Sequence, residues 1–293
     1  SVDLWLNHIS LEDNNPSYTP LSIDNGGLNL GQQGGRLHLH DIQIDTERIG
    51  SQSGPAMELN KAAAYIDVVT MSGNHSGIVW NADNNGNFIS SMSRVQLSGS
   101  SCLVLSDHIE LSGQDNTITP FCTGSLIFQN SNVNWSGLVD LTANTVLNLD
   151  SFSSLHLHQP SQVDLNNAII GPSATIDVAW DVEVWAINNN SNGIPQAIID
   201  LTFDQFESPT QEPTNEIGYV KFPNYIGQQW TQSGASSTTS ATISCGYDGI
   251  SNSSSVVLDQ DRVVYCLLPL GNQAPFLIWD SPVDLEIFPS GSI

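Results

Sequence analysis

The sequence predicts an all-β protein in which a right-handed parallel β-helix, or β-solenoid, is followed by a smaller antiparallel β unit. First, short runs that alternate apolar and polar residues recur between residues 94 and 181, as in Val146–Leu149. Second, Ser, Asn, Gly and Asp fill the gaps between these runs, and such residues favour turns. Third, strand starts recur about every eight residues from residue 138 onward, so that three strands would form one coil of about 24 residues.

Residues 1–50 carry the same pattern. An alternating run extends from Leu37 to Ile44, and Asp24–Gly27 is a turn signal before it. The segment Ala56–Tyr65 is ambiguous, because a preceding proline and three successive alanines favour a short helix, whereas small residues also fit the inside of a solenoid coil. The repeat has no tight consensus, which excludes the hexapeptide and nonapeptide β-helices and leaves an irregular solenoid.

The pattern changes after Trp185, where prolines punctuate an acidic stretch. Beyond this stretch the apolar runs lengthen, which favours an antiparallel β-sandwich or a cap on the open end of the solenoid. We therefore predict a solenoid domain at residues 1–187, a loop or linker at 188–215, and a C-terminal β-sandwich-like or capping unit at 216–293.

The alternating runs of residues 1–185 place Leu, Ile and Val on one side and Ser, Asn, Asp and His on the other. In this they resemble β-helical surface proteins such as bacterial adhesin passengers and phage tail spikes. The resemblance lies in the strand pattern and not in signature residues. It implies a solenoid fold and a position at a cell or particle surface.

Charge and polarity restrict the partners. The 293 residues include 30 acidic and 6 basic side chains, which gives a formal net charge of -24. Such a surface repels phosphate backbones and anionic lipids, so we expect no nucleic-acid partner and no membrane insertion. Only 12% of the residues are charged, and neutral Ser, Asn, Thr and Gly are abundant, as in many exported proteins. We therefore expect an extracellular or cell-surface location.

The four cysteines form two pairs that are close in sequence, Cys102 with Cys122 and Cys245 with Cys266. Their spacings of 20 and 21 residues are near the length of one solenoid coil, so each pair can join neighbouring coils. Four cysteines allow three pairings, and the sequence does not choose rigorously among them. We favour two local disulfides in an oxidising compartment over four buried free thiols.

The sequence Leu-His-Leu-His occurs twice, at residues 37–40 and 155–158. In a strand, His38 and His40 project from one face about 6.5 Å apart, and so do His156 and His158. Two such imidazoles can hold a transition metal when a third ligand is near. We favour the simpler interpretation, in which the leucines face the core and the histidines face solvent.

Calcium would suit an acidic loop, because it binds carboxylate, amide and carbonyl oxygens. The segment Asp83–Asn87 superficially resembles an EF-hand loop, but its glycine falls one position early and no Glu closes it. Turn formation explains these residues without an ion. We therefore expect no cofactor and keep calcium as an alternative without a named site.

Carbohydrate chemistry is the enzymatic alternative that a β-helix raises. Trp80 and Trp135 are candidates for stacking on sugar rings, although core or cap positions are favoured for most of the tryptophans. Asp107 with Glu110 is a candidate carboxyl pair for glycoside hydrolysis. A chain with thirty acids offers such pairs by chance, and lyases of acidic polysaccharides would need more cations than these six. The sequence contains no nucleotide-binding loop, nucleophile elbow or zinc-protease helix.

The sequence thus favours a non-enzymatic extracellular structural or adhesive protein, such as an adhesin segment or the subunit of a surface fibre or filament. Its partners would be other copies of itself or cell-surface and glycan ligands. Two alternatives stay open. One is a polysaccharide-binding or polysaccharide-degrading β-helix enzyme or tail spike, and the other is a surface-layer or capsid-type β-sandwich protein without a solenoid.

Overall fold

The computed structural model of this chain describes residues 4–13, 21–24, 37–46, 55–60, 64–73, 77–81, 88–97, 104–106, 109–114, 117–118, 125–137, 140–141, 146–163, 165–270, 277–280 and 284–287. Within these ranges all regular secondary structure is β-strand, so the protein is all-β. It contains a large, mostly parallel sheet. The chain forms two compact units. The first consists of Ser1–Ile176 and Trp230–Gly234, and the second of Asp177–Gln229 and Ala235–Ile293.

The strands of the first unit vary in length, from two to ten residues. They are β1 (Leu4–Asp13), β2 (Leu21–Asp24), β3 (Leu37–Thr46), β4 (Met57–Asn60), β5 (Ala64–Gly73), β6 (Ile78–Asn81), β7 (Phe88–Leu97), β8 (Val104–Ser106), β9 (Ile109–Gln114), β10 (Thr117–Ile118), β11 (Ser125–Phe128), β12 (Asn132–Ser136), β13 (Asp140–Leu141), β14 (Val146–Leu149), β15 (Ser154–His158), β16 (Gln162–Val163) and β17 (Ile169–Ile170).

These strands form parallel ladders in which alternate strands belong to different sheets. One sheet has the order β1-β3-β5-β7-β9-β12-β15, and the other has the order β17-β14-β11-β8-β6-β4-β2. The short strands β10, β13 and β16 form a third ladder, which starts on the last residues of β7. Parallel neighbours need a crossover connection, and here each crossover carries a strand of another ladder.

The offset between paired residues is regular in the later part of the first unit. Asn132 of β12 pairs with Ser154 of β15, 22 residues further along the chain. In the earlier part the offset is larger, because His40 of β3 pairs with Asp67 of β5, 27 residues further on. The predicted coil of about 24 residues falls between these two values.

Four strands of the first sheet bend at equivalent positions. The bend residues have left-handed φ angles of 56°, 54°, 54° and 53°, and they are His8, Asp41, Val68 and Arg94. Each bend resets the side-chain alternation, because Leu37 and Leu39 are buried before it and Ile42 and Ile44 are buried after it. Val68 is the costly member of this set, since a β-branched residue rarely adopts positive φ.

Apolar side chains from the two sheets of the first unit meet in the interior. Phe128 of β11 contacts Trp135 of β12 edge to face, with ring centroids 5.9 Å apart, and both side chains are fully buried. In β15, Leu155 and Leu157 are buried between half-buried polar residues. The period-two pattern of the sequence therefore corresponds to an inner apolar face and an outer polar face.

Asp150 joins two turns of the first unit, one at Asn130 and one at Phe152. Its carboxylate accepts hydrogen bonds from the backbone N–H of Asn130 at 3.1 Å and of Phe152 at 3.0 Å, and from the Ser153 hydroxyl at 2.7 Å. Burial raises the pKa of Asp150, but the bonds from Ser153, Asn130 and Phe152 outweigh burial, so the pKa lies below its ordinary value.

The second unit contains longer strands in two layers. The strands are β18 (Thr175–Ile187), β19 (Ile198–Phe203), β20 (Thr210–Pro213), β21 (Tyr219–Thr231), β22 (Gly234–Ala235), β23 (Ser240–Tyr247), β24 (Ile250–Val257), β25 (Arg262–Leu267), β26 (Leu277–Asp280) and β27 (Asp284–Ile287). In one layer β18 pairs with β25 in parallel, β21 lies beside β18, and β26 and β27 follow antiparallel. The other layer is an antiparallel sheet in the order β20-β19-β23-β24.

The core of the second unit lies between these layers. Val184 of β18, Ile199 of β19, Ile243 of β23 and Val264 of β25 belong to one buried cluster. Cys245 and Cys266 form a disulfide inside it, with Cα atoms 6.4 Å apart, and this bond joins β23 of one layer to β25 of the other. The local pairing predicted for these two cysteines is therefore present, whereas Cys102 and Cys122 lie outside the described residues.

Two segments differ from the sequence-based expectation. Residues 188–215 do not form a simple linker, because they contain β19 and β20, which belong to the antiparallel sheet that was expected only from residue 216 onward. For Ala56–Tyr65, where a short helix and a strand-like coil were both considered, the described residues 56–60 and 64–65 contain no helix. This segment contains β4 and the start of β5, because Met57 and Leu59 alternate into the core as strand residues. The first stretch of one compact unit ends at Ile176, and the other unit begins at Asp177, within β18.

Candidate functional site

Three rings from neighbouring strands stack on the outer side of the first sheet. Trp5 of β1 pairs with His38 of β3, which pairs with Tyr65 of β5. The rings of Trp5 and His38 are parallel within 3°, with centroids 3.8 Å apart, and Tyr65 follows at 5.0 Å from His38 with a tilt of 34°. We call these three rings the aromatic column. Trp5 is 65% exposed, so much of its surface is available to a ligand.

A polar cluster, formed by His8, His40, Asp41, Asp67 and Arg94, lies beside the aromatic column. His40 and Asp67 are two residues beyond His38 and Tyr65, which puts them on the same side of the sheet. His40 Nδ1 is 3.2 Å from Asp67 Oδ2, and Arg94 Nε donates to Asp67 Oδ1 at 2.8 Å. A second Arg94 nitrogen contacts Asp67 Oδ2, and His8 Nδ1 contacts Asp41 Oδ2.

Arg94 determines the protonation state at the centre of this cluster. Its hydrogen bonds and charge hold the pKa of Asp67 below the ordinary value of 3.8, with a further contribution from His40, while burial opposes the shift. Asp67 is therefore a carboxylate at neutral pH. The cluster presents carboxylate acceptors and imidazole and guanidinium groups beside an exposed ring face.

The second Leu-His-Leu-His segment has different neighbours. Leu155 and Leu157 are buried and the two histidines point to the outer side, as the simpler interpretation predicts for both segments. His156 pairs with Asn134 of β12 and His158 with Ser136 of β12, and neither partner is aromatic. The two segments thus share their inner face and differ on their outer face.

Two of the four residues that the sequence suggested for sugar binding are buried, and the other two are not fully described. Trp80 and Trp135 are 0% and 1% exposed, so they are core residues whose rings are not available to a sugar, which corrects that expectation. Asp107 lies outside the described residues, as does the side chain of Glu110, although the backbone of Glu110 belongs to β9.

The histidines considered as metal ligands have other partners in the first Leu-His-Leu-His segment. Within the ranges that the structure describes, no group of three or more His, Cys, Asp or Glu side chains has the arrangement of a metal site. His38 lies between two aromatic rings, and His40 contacts Asp67. The loop Asp83–Asn87, considered for calcium, lies outside the described residues.

The second unit contains a charged cluster of its own around Asp181. The Asp181 side chain is 4% exposed and lies 2.6 Å from Lys221 Nζ, and its other oxygen accepts the backbone N–H of Asn224 at 2.9 Å. Glu183 is 3.6 Å from the same ammonium group. The bond to Asp181 raises the pKa of Lys221, with the charges of Asp181 and Glu183 acting in the same direction and burial opposing. This cluster neutralises a buried carboxylate and joins β18 to β21.

The sequence indicated one residue of the aromatic column and did not indicate the other two. His38 was singled out by the Leu-His-Leu-His repeat, but Trp5 and Tyr65 carry no local signal that relates them to it. The offsets that align these residues are 33 and 27 residues, and such unequal intervals are visible only once the strands are paired. The nearest sequence signal is Trp5, which lies between Leu4 and Leu6 and therefore on the opposite face of the strand from these leucines.

No protein-family model matches the chain, and no curated protein is similar to it. Among the described residues there is no helix that is both long and apolar enough to span a membrane.

Proposed function

We propose that this chain is a non-enzymatic extracellular β-solenoid protein with a structural or adhesive role. The observation that carries the proposal is the alternation of strands between parallel ladders, with apolar residues inside and neutral polar residues outside. Such a framework repeats the same outer positions coil after coil, and it therefore offers an extended surface for a ligand or a second copy.

Two further features support the extracellular and non-enzymatic parts of the proposal. The Cys245–Cys266 disulfide suits an oxidising compartment. The buried carboxylate of Asp181 is paired with Lys221, as expected for a group that stabilises a fold.

Adhesion and hydrolysis assays on the full chain test this proposal. Beads coated with the protein should adhere to cell surfaces or to immobilised surface polysaccharide, and electron microscopy should reveal filaments if copies join end to end. Incubation with the same polysaccharides should release no reducing ends and no unsaturated sugars. Release of either product would replace the adhesive proposal with an enzymatic one, and failure of both adhesion and filament formation would refute it.

A further inference from the structure

We propose that the aromatic column and the polar cluster together bind a neutral, hydroxyl-rich glycan. This inference rests on the proposed adhesive function and names the class of ligand. The site consists of Trp5, His38 and Tyr65 as a stacking surface, with Asp41 and Asp67 as the principal hydrogen-bond acceptors.

Trp5 provides the first argument. Trp80 and Trp135 are buried in the core, whereas Trp5 is 65% exposed. One of its ring faces lies on His38, and in the sheet order β1 has β3 as its partner on that side. The stack holds the indole in one orientation before any ligand arrives, so little side-chain entropy is lost on binding.

The shape of the ring surface favours a sugar. The C–H groups on one side of a pyranose form a flat apolar patch, and an indole face is a flat apolar surface that such a patch can cover. Neighbouring strands are about 4.8 Å apart, so the three rings extend the surface along the sheet in steps of that size. A chain of sugars lying across β1, β3 and β5 would meet Trp5 first and Tyr65 last.

The polar cluster provides the second argument. Asp67 follows Tyr65 by two residues, so its carboxylate stands about 6.6 Å along the strand from the ring surface, on the same side of the sheet. The Asp41 and Asp67 side chains are 52% and 33% exposed. Each carboxylate therefore keeps surface for accepting hydroxyl donors from a ligand after its contact with histidine or arginine has been made.

Charge decides between neutral and acidic glycans. The chain carries a net charge of -24, and Arg94, the cation of this cluster, already binds both oxygens of Asp67. A uronate or sulfate group would thus meet two carboxylates and a neutralised guanidinium. Hydroxyl groups avoid that repulsion and donate to the same carboxylates, so the favoured ligand is uncharged.

Affinity electrophoresis of the full chain tests the assignment. Gels contain a neutral β-glucan, mannan or galactan, and hyaluronan serves as the acidic comparison. We expect at least one neutral polymer to retard the wild-type protein. Trp5→Ala should weaken that binding about tenfold or more, and Trp5→Phe should retain part of it, because stacking requires a ring. Asp67→Asn should also weaken it.

Phe152→Ala is the matched control. Phe152 is 76% exposed but lies at the turn that Asp150 organises, away from the aromatic column in sequence and sheet position. Its loss should leave the retardation unchanged, and circular dichroism should give the same spectrum for all variants. Retardation by none of the neutral polymers, retardation by hyaluronan alone, or equal binding by Trp5→Ala would overturn the assignment.

Size-exclusion chromatography of the same variants tests the alternative, in which a second copy of the protein covers the exposed ring. If Trp5→Ala reduces self-association and leaves glycan binding unchanged, the exposed ring serves contact between copies and the glycan assignment is wrong. The bead assay distinguishes this failure from failure of the proposed function. Beads that adhere equally well with Trp5→Ala would keep the adhesive role and remove only this site.

Discussion

The two units of this protein are stabilised by contacts of different range. In the first, parallel pairing joins strands that are near in sequence, as β12 pairs with β9 and β15 at offsets of 22 residues. In the second, the buried cluster joins segments as distant as Val182 and Leu268, and a disulfide fixes two of its strands. We infer that damage in the first unit stays local, whereas damage in the second affects the whole unit.

The polar groups of the two units also differ, in how deeply they are buried. The outer face of the first unit carries exposed pairs, such as Asp67 with Arg94, that add little to stability and stay accessible to a ligand. The second unit places Asp181 inside the protein, where each of its contacts matters more. Ligand binding is thus expected on the outer face of the first unit, where side chains can be substituted without loss of the fold.

Core truncation should reveal the difference most strongly. Trp135→Ala in the first unit and Ile243→Ala in the second should each cost about 2–5 kcal/mol, because both remove a fully buried side chain. Hydrogen exchange should rise mainly in β9, β12 and β15 for the first variant, and throughout the second unit for the other. Uniform exchange across the first unit after Trp135→Ala would contradict a local response.

Removal of the disulfide should have the next largest effect. The Cys245→Ala, Cys266→Ala double variant should lose about 3 kcal/mol of stability, because the loop that the bond closes is no longer restricted in the unfolded chain. Thermal unfolding and hydrogen exchange would locate the loss in the second unit. An effect that appeared only in the first unit would show that the units do not respond independently.

Asp181→Asn tests the buried charge. The change should cost about 2 kcal/mol, since it weakens the contact with Lys221 but retains an acceptor for the N–H of Asn224. Denaturant titration measures the loss. Lys221→Met in the same background should recover part of the loss, because it removes the ammonium group that the introduced asparagine no longer neutralises. An absence of recovery would argue against the pairing.

Val68→Asn is expected to stabilise the ladder. Asparagine tolerates positive φ far better than valine, so relief at this bend should add about 0.5–1 kcal/mol. Val69→Asn is the control, because Val69 is buried next to the bend and its replacement should destabilise. A lower melting temperature for Val68→Asn would contradict the left-handed conformation at this position.

The exposed pair at Asp67 should give the smallest effect. Asp67→Asn should cost less than about 1 kcal/mol at neutral pH. The folded pKa of Asp67 lies below its unfolded value, so the carboxylate contributes stability above the unfolded value, and this contribution is lost as the pH falls through the folded pKa. The stability difference between wild type and variant should therefore shrink below about pH 4. A difference that grew at acid pH would exclude this explanation.

Much of the fold was accessible to sequence reasoning because strand periodicity is a local signal. The alternation at 155–158 correctly placed Leu155 and Leu157 inside and their histidines outside. At Trp135 the same reasoning left two options, an exposed ring for sugar stacking or a residue of the core. An alternating run defines two faces without saying which one is buried, and Trp135 occupies the inner face together with Val133.

By itself, the sequence determined that the chain is all-β, with short strands, polar turns and an acidic surface poor in cations, because composition and periodicity are properties of neighbouring residues. Only the tertiary structure determined which strands pair, that β19 and β20 join the antiparallel sheet, and that Trp5, His38 and Tyr65 form one column. The physical reason is register. A slip of one residue in any strand would move its side chains to the other face, and the register depends on bends and loops whose lengths differ from coil to coil.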